Sequence, residues 1–114
     1  RREFLHVDDL ASACIFLMSL DQDKLDNNVK PMQSHINVGT GVDNSISEIS
    51  RKISEVTGYD GKIIFDNSKP DGTPRKILDV SLINKLGWES SIELDRGLAR
   101  TYEWFLENFD LLRG

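Results

Sequence analysis

The stretch HINVGTGVDNSISEISRKISEVTG, residues 35–58, contains a short apolar segment, a glycine turn and an amphipathic helical pattern. Ser45 and Glu48 have the Ser-x-x-Glu spacing of a capping box, which satisfies free amides at a helix N-terminus. Apolar residues then recur at helical spacing, at Ile46, Ile49, Ile53 and Val56. Gly58 is placed to end the helix in a left-handed conformation. The stretch predicts a short strand from His35, a turn at the glycines and a capped helix.

The N-terminal part of the sequence predicts a strand, a helix and a loop. Residues 3–7 (EFLHV) mix β-branched and aromatic side chains, as strands do. Asp8 or Asp9 then offers a carboxylate to cap a helix over residues 9–20 (DLASACIFLMSL). Apolar side chains occupy more than one face of that helix, which predicts an internal position. The polar segment 21–35 predicts a loop.

The C-terminal half predicts two strands and two helices. The strands are 62–67 (KIIFDN) and 75–80 (RKILDV), with a proline-containing loop between them. A short helix follows with Ser81 as its candidate cap, and a last helix runs over about 94–109. Because strands alternate with helices, we predict an α/β fold of short strands and about four helices, with some parallel pairing. Short strands and separated apolar runs also predict a lobe that packs against something else.

Composition limits the possible functions. The 14 basic and 19 acidic residues among 114 give a net charge of −5, which argues against a nucleic-acid or membrane-surface binder. The length predicts one domain, residues 1–114. A single cysteine, Cys14, cannot form a disulfide framework and is interpreted as a small buried hydrophobe. With neither a signal peptide nor a membrane-length apolar run, we predict a cytoplasmic protein.

Local catalytic and metal motifs are missing from the sequence. His6, His35 and Cys14 are far apart and have no recognisable metal spacing, so we expect no metal site. Gly39 and Gly41 follow a predicted strand as phosphate loops do, but the full Gly-x-Gly-x-x-Gly pattern fails at Asn44. We therefore interpret the two glycines as turn residues.

The distribution of cations is more informative. Arg1 and Arg2 begin one predicted strand, while Lys69, Arg75 and Lys76 flank PDGTP at the start of another. If these strand ends converge, they form a cationic mouth that suits a diphosphate, because arginine supplies a planar fork of donors. The alternative interpretation is a set of solvated loop charges.

Five blocks of the sequence resemble a known family: RREFLHVDDLA, SHINVGTGVDNSI, DNSKPDGTPRKILDV, LGW and GLARTYEWFLENF. In this order they are similar to the C-terminal third of the GDP-L-fucose synthases, which are extended short-chain dehydrogenase/reductases. The first block is typical of the whole superfamily, whereas KPDGTPRK points to the fucose synthase branch. The resemblance covers essentially all of the chain and implies a C-terminal substrate-binding lobe without its N-terminal Rossmann domain.

The resemblance implies a two-step reaction for the complete enzyme. GDP-4-keto-6-deoxy-D-mannose is epimerised at C3 and C5 and then reduced at C4 by NADPH to give GDP-L-fucose. The family binds NADPH and holds its catalytic residues in the Rossmann domain, and the complete enzyme is expected to be a homodimer. No Tyr-x-x-x-Lys occurs at Tyr59 or Tyr102. We therefore expect an inactive part of a longer protein, without catalytic or cofactor-binding residues, which would explain the missing initiator Met.

Residue by residue, the resemblance assigns three substrate-binding positions. Arg2 and Lys76 match cations at the GDP diphosphate, and Asp71 matches a carboxylate that accepts from ligand hydroxyls. Arg1 occupies a variable family position, and Arg75 is assigned a structural role. Trp88 and Trp104 are interpreted as core aromatics.

Two alternatives stay open at this stage. The chain could belong to another nucleotide-sugar epimerase or dehydratase of the same superfamily. It could also be a nucleotide-sugar-binding module with no catalysis.

Overall fold

Five helices and one small antiparallel sheet make up the part of the chain that the structure describes. The structure is a computed structural model that describes residues 1–30, 33 and 35–112. The elements are β1 (Arg2–Glu3), α1 (Val7–Met18), α2 (Gln22–Asn28), β2 (Asp43–Asn44), α3 (Ile46–Thr57), α4 (Ser81–Leu86) and α5 (Leu94–Leu112). Among the helices of these ranges, none has the length and apolar character that a membrane crossing requires.

Helix α3 confirms the prediction from its sequence. The Ser45 hydroxyl accepts from the Glu48 amide, and the Glu48 carboxylate accepts from the Ser45 amide at 2.7 Å, so both halves of the capping box form. Gly58 ends the helix with φ of 70°, a conformation that glycine adopts without steric cost. The helix packs against α5, and Lys52 bonds the Asp95 carboxylate at 2.6 Å.

A small core lies beside α1 and α4. It contains Ala13, Val80, Ile83 and Trp88, with Leu5, Phe16, Leu17, Ile36 and Val38 packed against it. Trp88 donates its indole N–H to the Ser12 hydroxyl at 2.9 Å, which satisfies its polar atom inside the core. The core prediction is confirmed for Trp88, but it is wrong for Trp104, which is 54% exposed on α5. Cys14 is also exposed, so its predicted burial is wrong.

Strand formation is less extensive than predicted. Of the first predicted strand, residues 3–7, only Glu3 pairs, within a strand that begins at Arg2. The segments 35–39 and 62–67 form no strand. Of the segment 75–80, only Lys76 makes a bridge, parallel to Arg2. An apolar, β-branched segment becomes a strand only when a neighbouring backbone satisfies its amides and carbonyls. No such neighbour accompanies 62–67 within the described ranges, and its Ile64 side chain is 75% exposed.

Helix boundaries differ from the predictions in three places. The predicted loop 21–35 contains helix α2, in which the Gln22 side-chain amide donates to the Asp26 carboxylate one turn later. Positions 31, 32 and 34 of that loop lie outside the described residues. The cap of α1 is His6, whose Nδ1 accepts from the Asp8 amide, rather than Asp8 or Asp9. The cap position of α4 is Val80 rather than Ser81.

Asp9 has a tertiary role instead of capping α1. Its carboxylate is buried and accepts from the Ser91 amide and hydroxyl and from the Ile92 amide, at 3.0 to 3.2 Å. These bonds fix the segment that leads into α5 against α1. Gly97 on α5 allows the close approach of His6, whose ring carbon Cδ2 would lie 3.3 Å from an added Cβ.

Candidate functional site

The cationic mouth lies where β1 meets the segment around Lys76. Arg2 pairs with Asn44 of β2 on one side and bridges Lys76 on the other, so β1 is the central segment. The Lys76 amide donates to the Arg1 carbonyl oxygen at 3.0 Å. The predicted site residues Arg2 and Lys76, 74 positions apart in sequence, are thus neighbours across one backbone pairing.

The Arg2 guanidinium is held by backbone carbonyl groups. Its Nη1 donates to the carbonyl oxygens of Arg1 and Thr73, both at 2.7 Å. Within the described residues, no hydrogen bond engages Nε or Nη2, which lie along the adjacent edge of the same planar group. That edge offers two parallel N–H donors, the arrangement that binds two oxygens of a phosphate or carboxylate.

The segment that carries Asp71 lies against this guanidinium. A Cβ added to Gly72 would lie 3.3 Å from Arg2 Nη2, so the backbone next to Asp71 approaches the open edge closely. Asp71 and Lys76 are both exposed. In the described part of the chain, neither side chain forms an ion pair. The structure therefore brings Arg2, Lys76 and the backbone next to Asp71 to one place.

Two other cations of the mouth form ion pairs with Asp43. Its carboxylate bonds Arg1 Nε at 2.9 Å and Arg75 Nε at 2.5 Å, and its side chain is only 6% exposed. Burial favours a higher pKa for Asp43, but hydrogen bonds from the two arginines outweigh burial and lower the pKa below its ordinary value. The hydrogen bond to Asp43 raises the pKa of Arg1. The ion pair supports the structural role assigned to Arg75.

The glycine loop that resembles a phosphate loop is filled by the Glu3 side chain. Glu3 Oε2 accepts from the Gly41 amide at 2.6 Å and from the Thr40 hydroxyl at 3.3 Å. A Cβ added to Gly39 would lie 2.6 Å from Glu3 Oε1. Gly41 has φ of 74°, which confirms its interpretation as a turn residue. Because the Glu3 carboxylate takes the Gly41 amide and fills the space beside Gly39, the loop does not offer this amide or this space to a phosphate group.

Asp43 and Glu3 were not identified from the sequence. The available signal was charge balance, because four of the five cations of the predicted mouth, Arg1, Arg2, Arg75 and Lys76, converge and favour carboxylates nearby. A cavity of about 640 Å³ also lies elsewhere, between α1 and α2, and Arg2, Asp71 and Lys76 do not line it. Within the described ranges, His, Cys, Asp and Glu side chains form no group of three or more that could hold a metal ion.

Comparison with known proteins identifies relatives along almost the whole chain. The chain is 58% identical to the GDP-L-fucose synthase of Escherichia coli (strain K12), over 99% of its own length and 35% of that enzyme. The matched segment is the C-terminal part of such enzymes. The chain therefore spans about a third of the length of the curated relatives it matches. No protein-family model matches the chain.

Solved structures of GDP-sugar enzymes have the same fold in this segment. A GDP-6-OMe-4-keto-L-xylo-heptose reductase from Campylobacter jejuni is 38% identical, with a TM-score of 0.81 over 94% of this chain and 31% of that one. A GDP-D-glycero-L-gluco-heptose synthase from the same organism, solved in the presence of NADPH, is 37% identical, with a TM-score of 0.78 over 92% and 30%. These matches confirm the resemblance and the predicted lobe.

Proposed function

We propose that this chain, as a counterpart of the C-terminal part of GDP-L-fucose synthases, is the GDP-sugar-binding part of such an enzyme. The observation that carries the proposal is the open Nε/Nη2 edge of Arg2, held beside Lys76 at the same backbone pairing. In the complete enzyme, GDP-4-keto-6-deoxy-D-mannose would be epimerised at C3 and C5 and reduced at C4 with NADPH to give GDP-L-fucose.

In this proposal Arg2 and Lys76 bind the diphosphate of the substrate. The planar Arg2 edge donates to two phosphate oxygens, and the Lys76 ammonium supplies a compact positive charge on the adjacent segment. Asp43 supports this division because its carboxylate forms ion pairs with Arg1 and Arg75, whereas Arg2 and Lys76 form none with a carboxylate among the described residues. A protein of net charge −5 thereby retains a local positive site.

Asp71 is proposed to accept hydrogen bonds from hydroxyl groups of the ligand. Its carboxylate is exposed and follows Pro70 in the segment that lies against Arg2. A carboxylate accepts hydrogen bonds but repels phosphate, so a ligand with both a diphosphate and hydroxyl groups suits this arrangement better than inorganic phosphate does.

In this proposal, the other part of the longer protein carries out the reaction chemistry. NADPH and the catalytic residues would be held by a Rossmann domain, because the glycine loop of this chain is filled by Glu3. We assign residues 1–114 to one substrate-binding domain with no catalytic residue of its own. The complete enzyme is proposed to be a cytoplasmic homodimer, in which the Rossmann domain makes most of the dimer contact.

The reading frame that encodes the longer protein provides the test. We expect a Gly-x-x-Gly-x-x-Gly and a Tyr-x-x-x-Lys upstream of Arg1, and purified longer protein should convert GDP-4-keto-6-deoxy-D-mannose with NADPH to GDP-L-fucose. Conversion of a different GDP-sugar instead would favour another epimerase or reductase of the superfamily. If both motifs were missing and no GDP-sugar were consumed, the non-catalytic binding module would be correct.

A further inference from the structure

We propose that Glu3 is a positioning residue that holds the Arg2 and Lys76 segments together at the proposed diphosphate site. This inference rests on the proposed function, because it concerns how the same two cations are held. Glu3 follows Arg2 on β1, and its carboxylate bonds backbone on both flanks of that strand. It acts through the neighbouring residues and does not itself contact substrate.

The hydrogen bonds of Glu3 join three segments of the chain. Oε2 accepts from the Gly41 amide at 2.6 Å, on the β2 side of β1. Oε1 accepts from the Leu78 amide at 3.4 Å, two residues beyond Lys76 on the other side. The sheet itself is very short, since each strand has two residues, so side-chain bonds of this kind contribute much of its cohesion.

The loop around Glu3 is shaped to its carboxylate. The Thr40 hydroxyl lies 3.3 Å from Oε2 and 3.0 Å from the Val42 carbonyl oxygen, so these two acceptors share its one proton. The missing side chain of Gly39 leaves the space that the carboxylate fills. Within the described ranges, Glu3 forms no ion pair with Arg2 or with another cation. Glu3 therefore fixes the backbone at the site without forming an ion pair with Arg2 or Lys76.

Calorimetric titration of the complete protein with GDP tests the role of Glu3. Glu3→Gln keeps the shape of the side chain but replaces one acceptor oxygen with an NH₂ group. This group is a donor, so it cannot accept the hydrogen bond of a backbone amide. We expect GDP binding to weaken about three- to tenfold, which corresponds to roughly 0.7 to 1.4 kcal/mol. Glu3→Asp keeps the charge but is too short to reach both flanks, so it should weaken GDP binding as well. Glu55→Gln, at an exposed position of α3, is the matched control and should bind GDP like the wild type.

A double-mutant cycle separates positioning from general stability. If Glu3 acts through Arg2, Glu3→Gln should have much less effect on GDP binding in an Arg2→Ala protein than in the wild type. Equal effects in both backgrounds, or wild-type GDP affinity of Glu3→Gln, would overturn the inference. If Glu3→Gln does not fold, Thr40→Ala removes the hydroxyl beside Glu3, together with its bonds to the Val42 backbone, and should show a smaller loss with the same dependence on Arg2. An unchanged GDP affinity for Arg2→Ala would overturn the proposed function itself.

Discussion

Arg2 donates from Nη1 to the carbonyl oxygen of Thr73 at 2.7 Å, and this bond fastens β1 to the segment that carries Asp71. The acceptor is a backbone atom, so the identity of the side chain at position 73 is not what holds the guanidinium. We expect Thr73→Ala to keep the GDP affinity of the complete protein within about twofold, because the carbonyl acceptor remains. A loss as large as that of Arg2→Ala, measured by calorimetry, would show that the Thr73 side chain has a separate role.

Gly72→Ala should disturb the open edge of Arg2. The new Cβ would lie 3.3 Å from Nη2, closer than ordinary van der Waals contact, while Nη1 stays held by two carbonyl groups. We expect GDP binding to weaken about three- to thirtyfold, which corresponds to roughly 0.7 to 2 kcal/mol. The thermal unfolding midpoint should be nearly unchanged, because the site is exposed. An unchanged GDP affinity would show that the Nη2 edge does not contact the ligand.

The 114-residue chain alone should neither bind NADPH measurably nor turn over substrate. Its glycine loop is occupied by the Glu3 carboxylate, and the sequence has no Tyr-x-x-x-Lys. NADPH fluorescence and the oxidation of NADPH in the presence of GDP-4-keto-6-deoxy-D-mannose are the two measurements. Oxidation by the purified chain at any rate above a buffer control would show that the assignment of catalysis to the longer protein is wrong.

Helix α1 presents an apolar surface that the described residues do not cover. Val7, Ile15 and Met18 are 70, 68 and 86% exposed. Exposed apolar patches of more than a few hundred Å² are typical of interaction surfaces. We expect the 114-residue chain to self-associate at high concentration and Ile15→Glu to reduce this association in sedimentation velocity experiments.

Two controls accompany the association experiment. Cys14→Ser should associate like the wild type under reducing conditions, which excludes a disulfide-linked dimer through this exposed thiol. Trp104→Glu, on α5, tests whether the surface extends to the exposed Trp104 side chain, which lines a pocket together with His6 and Val7. A wild-type chain that stays monomeric at high concentration and binds no hydrophobic dye would contradict the prediction.

The capping box should make stability depend on acid pH. The Ser45 amide lowers the pKa of Glu48 below its ordinary value of 4.5, so the ionised carboxylate favours the folded state. This contribution is complete above about pH 4.5 and is lost as the pH falls through the lower folded-state pKa. The lowered pKa of Asp43 acts in the same direction at more acid pH.

The free energy of unfolding should therefore fall as the pH drops below about 4.5 and through the lowered folded-state pKa values of Glu48 and Asp43. Glu48→Gln keeps an acceptor oxygen but cannot titrate, so its unfolding free energy should depend less steeply on pH in urea titrations. Ser50→Ala, on the same helix, should keep the wild-type dependence. Identical pH profiles for Glu48→Gln and the wild type would show that the capping carboxylate contributes nothing to acid unfolding.

Local sequence patterns predicted some elements of the fold well. The capping box, the apolar stripe and Gly58 define α3, because all of their interactions lie within one helix. The start of α5 was also predicted, although the helix extends to Leu112. The strands could not be predicted, since pairing depends on which distant segments meet. The cap of α1 was assigned to an aspartate because aspartate is a common N-cap residue. The Asp9 carboxylate instead accepts a tertiary hydrogen bond from Ser91.

The sequence predicted the cations of the candidate site, but it did not predict the carboxylates that lie beside them. The spacing of charges and the family resemblance both pointed to Arg2 and Lys76, which the structure brings together. Asp43 bonds an arginine 42 positions away, and Glu3 bonds an amide 38 positions away. Such bonds have no local sequence pattern, so only the folded chain reveals which cations remain free of a carboxylate.

In the proposed function, Arg2 and Lys76 bind the diphosphate of the substrate. Each is expected to make a charge-assisted contact of roughly 1.5 to 3 kcal/mol. In the complete protein, Arg2→Ala and Lys76→Ala should lower kcat/KM by about one to two powers of ten, since about 1.4 kcal/mol corresponds to a factor of ten. Arg2→Lys should recover only part of the loss, because the planar fork is missing.

The most direct measurement is the calorimetric GDP affinity of the complete protein and these variants. We expect a loss of about ten- to a hundredfold in GDP affinity for Arg2→Ala and for Lys76→Ala, with NADPH affinity nearly unchanged. Arg96→Ala, Lys85→Ala and Ser50→Ala are controls away from the mouth and should bind GDP like the wild type. Normal GDP affinity in both cation variants, or a loss of NADPH binding instead, would contradict the account.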